Sequence, residues 1–177
     1  MRSDPRRPVP PLDAAKLERL ALRYVERFAT TRGRLVDYLR RKIRERGWDG
    51  PEADPDALAE KLAGLGYVDD RAFAEARARS MARRGLGARR VADALRHARV
   101  EAEDAEAVAP EIADRSVDAA LAFARRKRIG PFAAEPAARE LRVKQLAAMA
   151  RAGHAYDLAR RIVDLAPGSE VDPDALI

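Results

Sequence analysis

The amino-acid sequence predicts an all-α protein: an elongated, curved array of three tandem three-helix repeats. Three observations predict it. Apolar residues recur at i, i+3, i+4 and i+7 through most of the chain, the spacing of one helix face. No segment alternates apolar and polar residues over the length of a strand. Finally, sliding the chain against itself by 52 residues, without a gap, places Ala21 on Phe73, Tyr24 on Ala76, Leu39 on Val91, Ile43 on Leu95 and Trp48 on Val100. The apolar stock is mostly alanine, and only 5% of residues are aromatic. Cores must therefore be thin and distributed, with each repeat leaning on its neighbour.

Residues 1–12 carry prolines 5, 8, 10 and 11, which remove backbone donors, so a flexible tail is expected there. The first repeat is expected over residues 13–68. Leu17, Leu20, Ala21, Tyr24, Val25 and Phe28 mark its first helix, and Leu35, Leu39 and Ile43 its second. Thr31 suits the N-cap between them and Gly47 a left-handed C-terminal turn. After the acidic loop DGPEADPD, Leu58, Leu62 and Leu65 predict a short third helix.

The second repeat, residues 69–109, is expected to hold helices near 70–84 and 87–98 and a short acidic helix ending near Ala109, before Pro110. The third, residues 110–166, presents Val117, Ala120, Leu121 and Ala124 on a helix over 112–128. Pro136 then suits the first turn of a helix reaching Ala152, Gly153 echoes Gly47, and Leu158, Ala159, Ile162 and Val163 line the last helix. The acidic tail 167–177 is expected to fray.

Composition narrows function. With 36% charged residues and a net charge of +6, the chain favours an acidic partner, nucleic acid or protein. It has no cysteine and two distant histidines, His97 and His154, which excludes thiol catalysis and disulfides and disfavours a Cys/His zinc site. No nucleophile-base pair, metal-ligand set or cofactor fingerprint stands out, so neither an enzyme nor a cofactor is expected. The N-terminal MRSDPRRPVPP has no apolar core region and no membrane-length apolar run follows. A cytoplasmic chain without a membrane segment is the expectation.

Asp69 and Asp70 are a carboxylate pair, but adjacent acids just before a helix more simply cap it and complement its dipole. Gly66, Tyr67 and Val68 suit a turn with a hydrophobic staple, and Phe73, Val91 and Leu95 fall in core register. Gly85-Leu86-Gly87 lacks the lysine-threonine pair and preceding strand of a phosphate loop, so it reads as a tight reversal, although amides at the next helix start could meet a phosphate. Trp48 is in core register rather than placed for base stacking. The basic residues are the better functional candidates. Arg83, Arg84, Arg89 and Arg90 cluster across one turn, with Arg96 further along, and Arg125, Arg126, Lys127 and Arg128 form a second knot that also suits a helix C-terminus. Arg40, Arg41, Lys42, Arg44 and Arg46 form a weaker partner surface.

The run L-x-x-L-G-Y-V-D-D-x-x-F-A at Leu62–Ala74, followed by R-R-G-x-G-A-R-R-V-x-x-x-L at Arg83–Leu95, resembles the RecX family, bacterial regulators of the RecA recombinase. With the repeat layout the resemblance extends over roughly residues 14–166. It implies a non-enzymatic, monomeric modulator that lodges in the helical groove of the RecA filament. There it would hinder filament growth, strand exchange, ATP turnover and coprotease activity, and so modulate recombination, DNA repair and the SOS response. Gly66, Tyr67, Asp69, Asp70, Phe73, Gly87, Val91 and Leu95 match the family pattern and read as structural, while charge clustering makes Arg83, Arg84, Arg89, Arg90, Arg96, Arg125, Arg126, Lys127 and Arg128 the residues expected to face the filament or DNA. Thr31–Leu39 resembles the family's S-R-x-E-L-x-x-x-L, with Arg34 where a glutamate is usual, so the reciprocal capping box is lost. Family members also carry an aromatic near the position of His154. The alternative is an autonomous helical module binding single- or double-stranded DNA. Against it, no helix is rich in the Asn, Gln and Arg combination that reads bases.

Overall fold

A computed structural model describes residues 10–176. These residues form α1 (Ala14–Arg27), α2 (Arg32–Arg46), α3 (Pro55–Gly64), α4 (Asp70–Arg83), α5 (Ala88–His97), α6 (Ala102–Ala107), α7 (Ala109–Asp114), α8 (Ser116–Lys127), α9 (Arg139–Arg151) and α10 (Tyr156–Asp164). One-turn 3-10 helices lie at Gly130–Phe132 and Asp174–Leu176. No strand occurs among the described residues; an isolated bridge pairs Leu12 with Trp48. The chain is all-α, as its periodicity predicts. Two compact units emerge, one of residues up to Phe73 with Ala98–Val100, the other of Ala74–His97 with Glu101 onward.

In the first unit α1, α2 and α3 pack around Leu17, Ala21, Leu35, Leu39, Ala59 and Leu62. Asp13 starts α1 by accepting from the Lys16 amide at 2.8 Å. Asp54 does the same for α3, accepting from Ala57 at 2.9 Å, and Pro55 occupies the first turn, where its missing donor costs nothing. Gly66, at φ +79°, ends α3: the amides of Gly66 and Tyr67 donate to Ala63 O and Leu62 O at 2.8 and 2.9 Å. This closes the left-handed cap that orphan helix carbonyls require. Val68 turns into the core behind it, while Tyr67 stays exposed.

The flexible tail expected over residues 1–12 lies, for residues 1–9, outside the described residues. Its end is held rather than loose. Leu12 is fully buried, its amide donates to Gly47 O at 3.0 Å and its carbonyl accepts from Asp49 at 2.8 Å. Proline density masks this anchor because the pairing is made by a single leucine far from its partners in sequence.

In the second unit α8, α9 and α10 surround Val117, Ala120, Phe123, Met149, Ile162 and Val163. Ala74, Ala78 and Met81 of α4 and Val91 and Leu95 of α5 are also buried. Pro110 does not close a helix but opens one: it sits in the first turn of α7, and α8 starts afresh at Ser116 instead of continuing from 112. A proline terminates only what precedes it. Pro136, expected in a first turn, lies before α9, which begins at Arg139. The C-terminal tail is docked rather than frayed as far as Leu176. Gly168 donates to Pro131 O at 2.9 Å, Leu176 enters the core, and Arg161 Nη1 donates to the Leu176 carbonyl at 3.1 Å.

A common junction recurs along the chain. One or two residues past the second helix of each repeat the backbone turns to positive φ: Gly47 at +82°, Arg99 at +55° and Gly153 at +93°. Carbonyls beside these turns accept from an earlier segment. Gly47 O takes the Leu12 amide, Ala98 O the Thr31 hydroxyl at 2.5 Å, and Ala152 O and Gly153 O the amides of Gly87 and Arg89 at 2.8 and 3.2 Å. The 52-residue slide matches these C-terminal turns, Gly47 on Arg99, but not the helix starts. Ala14 to Asp70 and Arg32 to Ala88 are both 56 positions apart. A four-residue displacement is about one helical turn and keeps the same face, so the apolar stripes match in either register. The repeat alignment therefore contains a one-turn gap, because α5 is shorter than α2.

Candidate partner-binding surface

The acidic pair divides its work. Asp69 caps its own helix, accepting from the Ala72 amide at 2.8 Å. Asp70 does not: its buried carboxylate accepts from the Arg32 amide at 2.8 Å, at the start of α2. Asp69 thus caps α4, whereas Asp70, although it stands in the first turn of α4, lends its carboxylate to the start of α2. Thr31 completes that end by accepting from the Arg34 amide at 3.2 Å. Arg34 makes no reciprocal cap, as its charge dictates, and its guanidinium instead lies 5.6 Å from the Phe73 ring centre. Phe73 is half-buried rather than a core anchor; the fully buried side chain beside it is Ala74.

The turn between α4 and α5 uses its two glycines differently. Gly85, at φ +70°, closes α4, with the Gly85 and Leu86 amides donating to Ala82 O and Met81 O at 2.8 and 3.0 Å. Gly87 permits close approach: a Cβ there would lie 2.4 Å from the Gly153 carbonyl carbon and oxygen and 2.6 Å from the His154 nitrogen. The amides at the start of α5 that could have met a phosphate are engaged by Ala152 and Gly153 instead. His154 is buried in the same knot, its Nε2 3.2 Å from Gly85 O and its ring 5.6 Å from Phe123. Burial, the larger effect, pulls its pKa below the ordinary imidazole value, against the opposing bond to Gly85. The neutral ring donates through Nε2.

This knot brings the two basic clusters together. Arg126, at the end of α8, donates through Nη1 to Arg84 O at 2.5 Å and lies 5.5 Å from the Phe123 ring centre. Arg83, Arg84, Arg89 and Arg90 are all exposed around the turn. Arg90 packs its stem against Gly153 while its head stays in solvent. Arg125, Lys127 and Arg128 are exposed too; Arg125 covers Phe132 at 4.9 Å, and Arg128 ends α8 in a left-handed conformation at φ +54°. Arg96 is set apart: it lies two turns along α5 from Arg89 and pairs with Asp93. Val91 and Leu95 are buried beneath. The result is a cationic surface fixed at its centre by Arg126, His154 and three close-packed glycines. Sequence reading found the arginines; it missed His154, Gly153 and the Arg126–Arg84 bond, for which only the Gly153 echo of Gly47 gave a signal.

The scaffold and this surface define a class of all-α proteins built from three-helix repeats and carrying an exposed cationic face. The family model of the RecX second three-helix domain matches residues 69–108. The chain is 37% identical over 163 residues to the Regulatory protein RecX of Myxococcus xanthus, covering 85% of this chain and 86% of that one. It is 33% identical to the Regulatory protein RecX of Thermobifida fusca, covering 89% and 84%. The chain belongs to the RecX family. No helix among the described residues is long and apolar enough to cross a membrane.

Proposed function

We propose that this chain regulates the RecA recombinase of its own cell. It lodges in the helical groove of the filament, hinders filament growth, strand exchange, ATP hydrolysis and coprotease activity, and so restrains recombination, repair and the SOS response. It works without catalysing a reaction, as a monomer in the cytoplasm. The observation that supports this most is the near full-length likeness to proteins named as RecX regulators. The surface that fits is the joined cationic cluster: Arg83, Arg84, Arg89 and Arg90 with Arg125, Arg126, Lys127 and Arg128. Cations held on short helices and a fixed turn give up little ordering entropy when they meet acidic groups, and their field speeds encounter.

Cosedimentation with preassembled recombinase filaments tests it. The wild-type chain should pellet with the filament, and the Arg84→Glu/Arg126→Glu variant should remain in solution with unchanged helical content. Equal pelleting of both would reject this surface.

A further inference from the structure

We propose that the first unit carries a separate surface for single-stranded nucleic acid, built from an aromatic row on α1 and α2 and the arginines beside it. Tyr24 and Tyr38 stack with ring centres 4.2 Å apart at 16°, and Phe28 lies 5.3 Å from Tyr24, tilted by 48°. The inner parts of the two tyrosines pack on the unit's core. Phe28 is different. It follows the last turn of α1, is 48% exposed and has no place in the core cluster. An exposed phenylalanine beside a stacked pair offers a flat apolar partner a surface on which to stack.

The surroundings suit a polyanion. Arg27 lies 5.4 Å from the Phe28 ring centre, and Arg41 and Lys42 lie 5.7 and 5.9 Å from that of Tyr38. Tyr24 and Tyr38 line a cleft with Arg34, Arg40, Arg41 and Arg44. Asp37 is its one acid, and Arg99 neutralises it at 2.9 Å. Arg40 and Arg41 have acidic neighbours in Asp56 and Glu45, whereas Arg34 and Arg44 make no ion pair within the described residues. Aromatic faces beside a cationic track form a single-strand platform, in which phosphates meet the arginines and unstacked bases meet the rings. A duplex hides its base faces, and an acidic peptide would leave Phe28 without a planar partner, so the combination favours a single strand. The amphipathic spacing puts Tyr24 and Phe28 on one core stripe; only the fold shows Phe28 exposed and Tyr38 stacked on Tyr24.

The test is fluorescence anisotropy with the full chain and three labelled probes: an oligothymidylate, an abasic strand of equal length, and a duplex. The oligothymidylate should bind most tightly. Phe28→Ala should weaken that binding about tenfold and leave the abasic strand unaffected. Arg34→Glu/Arg44→Glu should weaken both single strands and lower the salt slope by roughly 0.7 for each phosphate no longer neutralised. Arg84→Glu/Arg126→Glu should keep the wild-type preference for thymidylate over the abasic strand, which separates this site from the recombinase surface. Equal affinity for thymidylate and abasic strands, preference for the duplex, or unchanged binding by Phe28→Ala with native helical content would each overturn the proposal.

Discussion

Replacing Gly87 with alanine tests the knot on which the cationic surface is built. The added Cβ would sit 2.4 Å from the carbonyl of Gly153 and 2.6 Å from the nitrogen of His154. Ordinary packing needs about a further 1 Å, and both obstacles are backbone, so the α5 start and the Gly153 turn must separate. That movement stretches the Gly87–Ala152 and Arg89–Gly153 bonds, now 2.8 and 3.2 Å, beyond useful length. Overpacking of this kind costs about 1–3 kcal/mol and each broken hydrogen bond about 0.5–1.5 kcal/mol. Alanine returns about 0.4–1 kcal/mol by restricting the unfolded chain. The net loss is about 1–6 kcal/mol, a fall of roughly 2–22 °C in melting temperature for a chain of this size. Thermal unfolding followed by circular dichroism measures it. Gly64→Ala is the control: nothing lies within 4 Å of its Cβ, so it should be neutral or stabilising by up to about 1 kcal/mol. If Gly87→Ala melts with the wild type, the close approach of the two turns is wrong.

Other substitutions probe the same framework. His154 is held neutral by burial, with its pKa below the usual 6.5. The unfolded chain therefore binds more protons below that value, and stability is full above about pH 6.5 and declines as pH falls through it. The urea midpoint should drop between about pH 7.5 and 5.5 more steeply in the wild type than in His154→Gln; parallel profiles would contradict the buried neutral ring. Asp70→Ala should destabilise by about 1–3 kcal/mol by stripping the acceptor from the Arg32 amide, while Asp70→Asn, which keeps an acceptor, should recover part of it. Equal losses would point away from the cap. Phe73→Ala should cost about 1–2 kcal/mol by chemical denaturation, below the 3–5 kcal/mol typical of a fully buried phenylalanine, because the ring is half-exposed.

Much of this fold is legible in local pattern. The 3.6-residue stripes mark Leu17, Ala21, Leu35 and Leu39 as core, and Thr31, Gly47 and Gly66 each declare a helix end through cap chemistry that needs no distant partner. Legibility stops where one segment meets another. Leu12 reads as tail until Gly47 and Asp49 receive it, and Asp70 reads as a local cap although its partner amide is 38 positions away. The slide that aligns Gly47 with Arg99 conceals a missing turn because helical periodicity repeats every turn. The candidate site divides in the same way. Charge clustering marks Arg83, Arg84, Arg89, Arg90 and Arg125–Arg128, but nothing local states that Arg126 reaches the Arg84 carbonyl. Nor does it reveal that His154 packs against Phe123 and reaches the Gly85 carbonyl.

The most direct measurement is DNA-dependent ATP turnover by the cognate recombinase with increasing amounts of this chain, added before and after filament assembly. Wild-type protein should suppress turnover at amounts well below one per recombinase protomer, and Arg84→Glu/Arg126→Glu, equally folded, should not. Undiminished turnover with the wild type, or equal inhibition by the variant, would contradict regulation through this surface.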